Sequence, residues 1–203
     1  MASVTPSTVQ VSIGMESSYF IPITEEPAGA KPVYGDKLDM GHAVKAVLSV
    51  TTASGSIVGD NLTQVEVEEF VSGQLDAETT MDDLEINSKL YGHTYSADGG
   101  EVSKAGDSAP NGGFAFIQHI LKKDKSKTYR VTCLHKVSAM ASSEKQTATT
   151  KTPGSLSFAN NTVSFKIMAD NAGAWRTRQD FTDKKDAVAF ITSFYAAAAA
   201  SAT

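Results

Sequence analysis

Few residues in this chain are of a type and spacing that could do chemistry. Cys133 and His135 share one parity of a β-patterned stretch, so they share a strand face. There a thiol and an imidazole could ligate a metal or form a thiolate pair. No Cys-x-x-Cys or His-x-x-His supplies the other ligands of a zinc site. Both are therefore expected to pack in or near the core, Cys133 as a small hydrophobe. The acidic pairs Asp82-Asp83 and Glu68-Glu69 could act as general acid and base. Helix capping accounts for the first pair and a solvated surface for the second. Gly112-Gly113-Phe114 lacks the glycine spacing and following helix of a phosphate loop and reads as a turn. The run Lys122, Lys123, Asp124, Lys125, Ser126, Lys127 could meet phosphate, but a phosphate track needs many such contacts, and a solvated hairpin tip explains it. No Gly-x-Ser-x-Gly elbow is present. The expectation is a protein without catalytic residues, cofactor or metal.

The element that positions most of these residues is a β-hairpin, Gly112 to Val137, with the lysine run at its tip. In the return arm Tyr129, Val131, Cys133, His135 and Val137 oppose Thr128, Arg130, Thr132 and Lys136, which predicts one buried and one wet face. The first arm is apolar on both parities, as in a strand covered by a core on one side and a neighbouring subunit on the other. Val44, Ala46, Leu48 and Val50 alternate with Lys45, Ser49 and Thr51 in an earlier strand. Ser54, Gly55, Ser56, Ile57, Val58, Gly59, Asp60 and Asn61 read as a polar, glycine-bearing loop after it. Leu62 to Met81 predicts two strands meeting near Ser72-Gly73, where the apolar phase breaks as at a bulge. Glu66, Glu68, Asp76 and Glu78 would form an acidic face opposite Val65, Val67, Leu75 and Ala77. Thr80 to Asp83 fits a capping box for a short helix through Tyr91, closed by Gly92. Asp183 caps a last helix whose buried stripe is Ala187, Phe190, Ile191, Phe194 and Tyr195. The sum is a mainly β chain with two helices, a β-sandwich or partly closed barrel.

Composition bounds the function. The chain has 203 residues, 41% hydrophobic and 20% charged, with a net charge of -5. That is ordinary for one globular domain and speaks against non-specific nucleic-acid binding, which needs excess Lys and Arg. A single cysteine precludes an internal disulfide and fits a reducing compartment. The start lacks the basic and apolar segments of a signal peptide, and no apolar run reaches the ~20 residues of a membrane span. Residues 1–16 read as an N-terminal arm, 17–197 as the β domain and 198–203 as an alanine-rich extension.

Taken in order, several segments carry a family resemblance. They are Gly73-Gln-Leu-Asp-Ala with the helix ending Leu90-Tyr91-Gly92-His93; Phe114-Ala-Phe with the lysine-rich tip and the Tyr129-Arg-Val return; Thr150 to Phe158; and Gly173-Ala-Trp175, Phe181 and the helix with Ala189-Phe-Ile191 and Phe194. Together they span roughly residues 40 to 197, and in that order the chain resembles the major tail, or tail-tube, protein of long, flexible-tailed bacteriophages. The resemblance implies a β-sandwich-like subunit forming six-fold rings that stack into a tube in the virion tail. Its partners would be further copies of itself, the tape-measure protein and the tail-terminator or tip proteins, with DNA passing without specific binding and no membrane contact. Assembly would take place in the host cytoplasm. It also implies that Ser54 to Asn61 reaches toward the adjacent ring. Glu66, Glu68, Asp76 and Glu78 would then suit the channel wall, where carboxylates keep a passing polyanion from sticking. Two other readings of the same β pattern are an extracellular adhesin or carbohydrate-binding sandwich and a small β-scaffold hydrolase.

Overall fold

The computed structural model describes residues 10–59, 62–144, 151–152, 155–156 and 160–196, without the side chains of 57–65 and 151–156. Its frame is a hairpin of β8 (Asn111–Lys122) and β9 (Lys127–Ala139), paired antiparallel from Asn111↔Ser138 to Leu121↔Lys127. On the outer side of β8 lies β1 (Gln10–Glu25), itself edged by the two-residue strands β2 (Val33–Tyr34) and β3 (Leu38–Asp39). β4 (Ala43–Gly59) and β5 (Leu62–Thr79) form a second, longer hairpin. Helix α1 (Leu84–Tyr91) and the small hairpin of β6 (Thr94–Ser96) and β7 (Gly100–Val102) lie between the two. After β9 come the paired β10 (Lys151–Thr152) and β11 (Ser155–Leu156), then β12 (Asn161–Met168), β13 (Arg176–Phe181) and helix α2 (Lys184–Ala196).

The large sheet has nine strands in the path β2-β1-β8-β9-β12-β5-β4, with β13 beside the first half of β9 and β3 beside β1. It is antiparallel, and it is not closed into a barrel. It does fold over itself. Phe20 on β1 and Phe165 on β12 sit three strand steps apart, ~14 Å on a flat sheet at ~4.8 Å per step, yet their rings stack 6.1 Å apart. Phe114 packs between the halves, 4.8 Å from Phe165. Around them Met40, Leu75, Leu90, Leu134, Val137 and Ile167 close the larger core.

The other face of the central hairpin is also buried. Ala115, Ile117, Val131 and Cys133 pack with Ala187, Ile191 and Tyr195 of α2. The one wet face expected of the return arm is thus absent, since Thr128, Thr132 and Leu134 are buried on it. The second cover of the first arm is this chain's own C-terminal helix rather than a neighbouring subunit.

Three local readings also change. Residues 10–16 are part of β1, paired as far as Gln10↔Lys122, and not an arm. Gly112 and Gly113 are no turn but lie inside β8. An added Cβ at Gly112 would come within 2.4 Å of the Phe20 ring, and one at Gly113 within 2.2 Å of the Tyr195 ring, so glycine is what lets aromatic rings close on both faces there. Helix α1 is capped by Asp83, whose carboxylate accepts from the Glu85 and Ile86 N–H groups, while Thr80 Oγ1 instead accepts from the His42 N–H. Gly92 does close α1 in the left-handed region at φ 78°. Asp183 does cap α2, accepting from the Lys185 N–H.

Candidate functional site

One feature not used by the core is the far half of the β4–β5 hairpin. β12 covers β5 only from Gly73 to Thr79. Beyond that point β4 and β5 pair with each other alone, out to Gly59↔Leu62. Ser54 to Gly59, read as a loop, are therefore strand, and only Asp60 and Asn61 fall between the strands, outside the described residues. A polar, glycine-containing sequence serves here because a two-stranded ribbon in water buries little and needs only its ladder. The ribbon carries exposed apolar side chains nonetheless: Val50 on β4, and Val67 and Val71 on β5, with Val44 and Val47 exposed nearer the body. β4 is the terminal strand of the sheet, so its outer edge has no strand partner among the described residues.

The base of the ribbon is clamped. Phe70 stacks on Trp175 with ring centroids 4.5 Å apart and planes 2° from parallel, and the Arg176 guanidinium lies 4.3 Å over the indole. Both aromatic rings are half-buried against the main core.

The phase break near Ser72-Gly73 is a bulge, and it redistributes the acidic residues. Thr51 pairs with Ser72 and Thr52 with Phe70, which leaves Val71 as the extra residue. Directly paired residues share a face. Glu66 and Glu68 pair with Ser56 and Ser54, on the face of Leu48 and Leu75; Asp76 and Glu78 pair with Val47 and Lys45, on the opposite face. The single acidic face expected from residue parity does not exist, because one extra residue reverses every side chain beyond it. The two pairs also differ in their bonds. Glu68 accepts from Thr52 Oγ1 at 2.5 Å within the ribbon. Asp76 is held across the sheet by Ser164 Oγ at 2.5 Å and by Gln74, and Glu78 accepts from Asn160.

The lysine-bearing tip is a small self-bonded turn. The Lys122 N–H donates to Ser126 O, and Asp124 accepts from both the Ser126 N–H and its hydroxyl, which holds the Asp124 carboxyl below its ordinary range. Lys123, Lys125 and Lys127 are exposed around it.

Cys133 and His135 do face the same side, but they do not act together. Cys133 is fully buried beneath α2, and burial pushes its thiol up to about 12, so it is neither a thiolate nor a ligand at neutral pH. His135 instead joins residues that the sequence did not connect. Its Nδ1 lies 2.8 Å from Asp170 Oδ2 and its Nε2 2.9 Å from Thr177 Oγ1. That is the order orienter, base, hydroxyl of a nucleophilic triad. However, His135 and Asp170 are each only 6% exposed, and the ring is packed edge-on against Phe194. Asp170 Oδ1 is also occupied by the Ala172 and Ala174 N–H groups. The network buries the base and pins the β12–β13 turn to β9. Only the turn sequence Asp170-Asn-Ala-Gly could have hinted at it.

Of Asp82 and Asp83, the other acidic pair, the second is spent on the helix, as its N-cap rather than at the N3 position of the expected capping box. No described helix is long and apolar enough to cross a membrane. No family model matches this chain, and no curated protein matches it.

Proposed function

We propose that this chain is a structural subunit that assembles with copies of itself into stacked six-fold rings, the tail tube of a long, flexible-tailed bacteriophage, through which DNA leaves the virion. One observation carries the reading more than any other: the β4–β5 ribbon, a paired arm that leaves the body of the sheet, exposes valines and presents an edge with no strand partner among the described residues. A long, uncovered edge flanked by exposed valines is hazardous in a monomer and useful in a protein built to add strands from its neighbours. Repeated head-to-tail contacts of that kind generate rings and filaments. The order of sequence segments described above supports the same reading.

Negative-stain electron microscopy of the concentrated protein tests it. Rings or tubes are expected, and their share should grow with concentration. A chain that stays monomeric at the highest attainable concentration, by microscopy and by light scattering, would overturn the reading in favour of a monomeric binding sandwich.

A further inference from the structure

Below the small β6–β7 hairpin, His93 stands between two carboxylates. Its Nδ1 lies 2.7 Å from Glu101 Oε1, and its Nε2 lies 3.9 Å from Glu144 Oε2. The three residues come from separate elements, each fixed by other contacts. His93 follows the left-handed Gly92 that ends α1, and its N–H donates to Ser88 O. Glu101 is the middle residue of β7, paired with Tyr95. Glu144 closes the 3-10 turn Ala141–Ser143, where the Ser143 hydroxyl lies 3.4 Å from the Tyr91 hydroxyl, and the Tyr91 ring stacks on that of His93. The side chains of His93 and Glu101 are 8% and 16% exposed and that of Glu144 43%.

The two imidazole contacts differ, since 2.7 Å is a hydrogen bond and 3.9 Å is beyond one. A neutral imidazole has one N–H. In the neutral ring the short contact at Nδ1 assigns that proton to the bond with Glu101, with the Ser103 hydroxyl a second, longer neighbour of Nδ1 at 3.2 Å. In the tautomer with its N–H at Nδ1, the Nε2 lone pair faces a Glu144 carboxylate oxygen across 3.9 Å, so one ligand could be shared by the two. Among the described residues neither Glu101 nor Glu144 is paired with a lysine or arginine. One potential ligand atom from each of the three residues lies within 4.8 Å of the other two.

We propose that a divalent transition-metal ion of the zinc class binds between His93 Nε2 and Glu144, with Glu101 as the outer carboxylate that fixes the imidazole tautomer. Ligands about 2.1 Å from a tetrahedral zinc ion stand about 3.4 Å apart. The 3.9 Å separation therefore needs only a small rotation of the half-exposed Glu144 side chain. A carboxylate on the far ring nitrogen is the usual support of a metal-bound histidine. Imidazole plus carboxylate suits zinc better than magnesium or calcium, which prefer all-oxygen shells. Water completes the shell. The ion would tie the β6–β7 hairpin and the end of α1 to the turn after β9. This proposal is independent of the assembly reading.

Zinc ion alone, added to tag-free protein, is the probe. Calorimetry should give one site per chain, zinc should raise the melting midpoint, and the His93 ring resonances should shift. His93→Gln and Glu144→Gln should each weaken binding at least about tenfold. Glu144→Gln alters a half-exposed side chain and serves as the variant that keeps the fold, checked by circular dichroism. Glu101→Gln should weaken binding less, because an amide oxygen still accepts from Nδ1–H. Absence of zinc binding by the wild type, or binding unchanged in both His93→Gln and Glu144→Gln, would overturn the site. So would a His93 ring that carries protons on both nitrogens at neutral pH and ignores zinc, since a proton would then fill the gap.

Discussion

Single residues in this fold are constrained mostly by what lies across the central hairpin. Gly113 has no room for a methyl group, because Tyr195 occupies that space and its hydroxyl lies 3.1 Å from Phe114 O and 3.0 Å from Leu134 O. Gly113→Ala should push the end of α2 off the sheet and cost about 2–3 kcal/mol in denaturant unfolding. Combined with Tyr195→Leu it should cost clearly less than the sum of the two single changes, since the clash is then gone. Cys133 gives a pH signature. Its native thiol is held near 12 by burial, whereas an unfolded thiol titrates near ~8.5. Between these values the native state keeps a proton that the unfolded state loses, so stability falls as pH rises through that window. Cys133→Ala removes this contribution. The stability difference between wild type and variant should shift by about 2 kcal/mol against the wild type from pH 8 to pH 10. Equal differences at the two pH values, read from urea midpoints, would show that the thiol ionises freely in the native protein.

At the scale of elements, the β4–β5 ribbon separates from the core at its clamp. Phe70 and Trp175 are the contact that fixes its angle, so a double-mutant cycle with Phe70→Ala and Trp175→Ala should give a coupling of about 1 kcal/mol beyond additivity. A coupling near zero would mean that the rings do not stack in solution. Outward of the clamp the described backbone pairing of the ribbon is between β4 and β5 alone. Ala53 pairs with Glu69, so replacing residues 54–68 by Asn-Gly restores a two-residue hairpin there. That variant should unfold within ~1 kcal/mol of the wild type, because it removes surface rather than core. It should form no tubes. Normal-length tubes from the shortened chain would assign assembly to another surface.

For the whole molecule, the bulge at Val71 makes the acidic residues into two separate sets. Glu66 and Glu68 belong to the ribbon; Asp76 and Glu78 belong to the outer face of the body and are bonded to β12 and Asn160. A channel in the proposed assembly can run along one of these faces and not both. Replacing Glu66 and Glu68 by lysine, or separately Asp76 and Glu78, should therefore slow genome release in only one of the two variants. That defect should ease as salt rises, because lysine–phosphate contacts weaken steeply with ionic strength. Equal defects in both variants, or none in either at low salt, would remove these carboxylates from the channel wall.

The sequence by itself determined the local content of the protein. Alternation marked the strands, and the central hairpin and its lysine tip stand where the pattern put them. Asp183, Gly92 and the stripe Ala187, Phe190, Ile191, Phe194 and Tyr195 marked the helices, because caps and helical spacing act within a few residues, although Phe190 and Phe194 are only partly buried. The phase break near Gly73 was legible too, but not its consequence. Only pairing with β4 shows that one extra residue turns Glu66 and Glu68 away from Asp76 and Glu78. Tertiary structure likewise decided what covers the central hairpin, because burial of a second face depends on α2, some 50 residues away. It alone joined His93 to Glu101 and Glu144, and His135 to Asp170 and Thr177. Contacts of that kind are fixed by how the sheet folds over itself, and no local spacing along the chain encodes them.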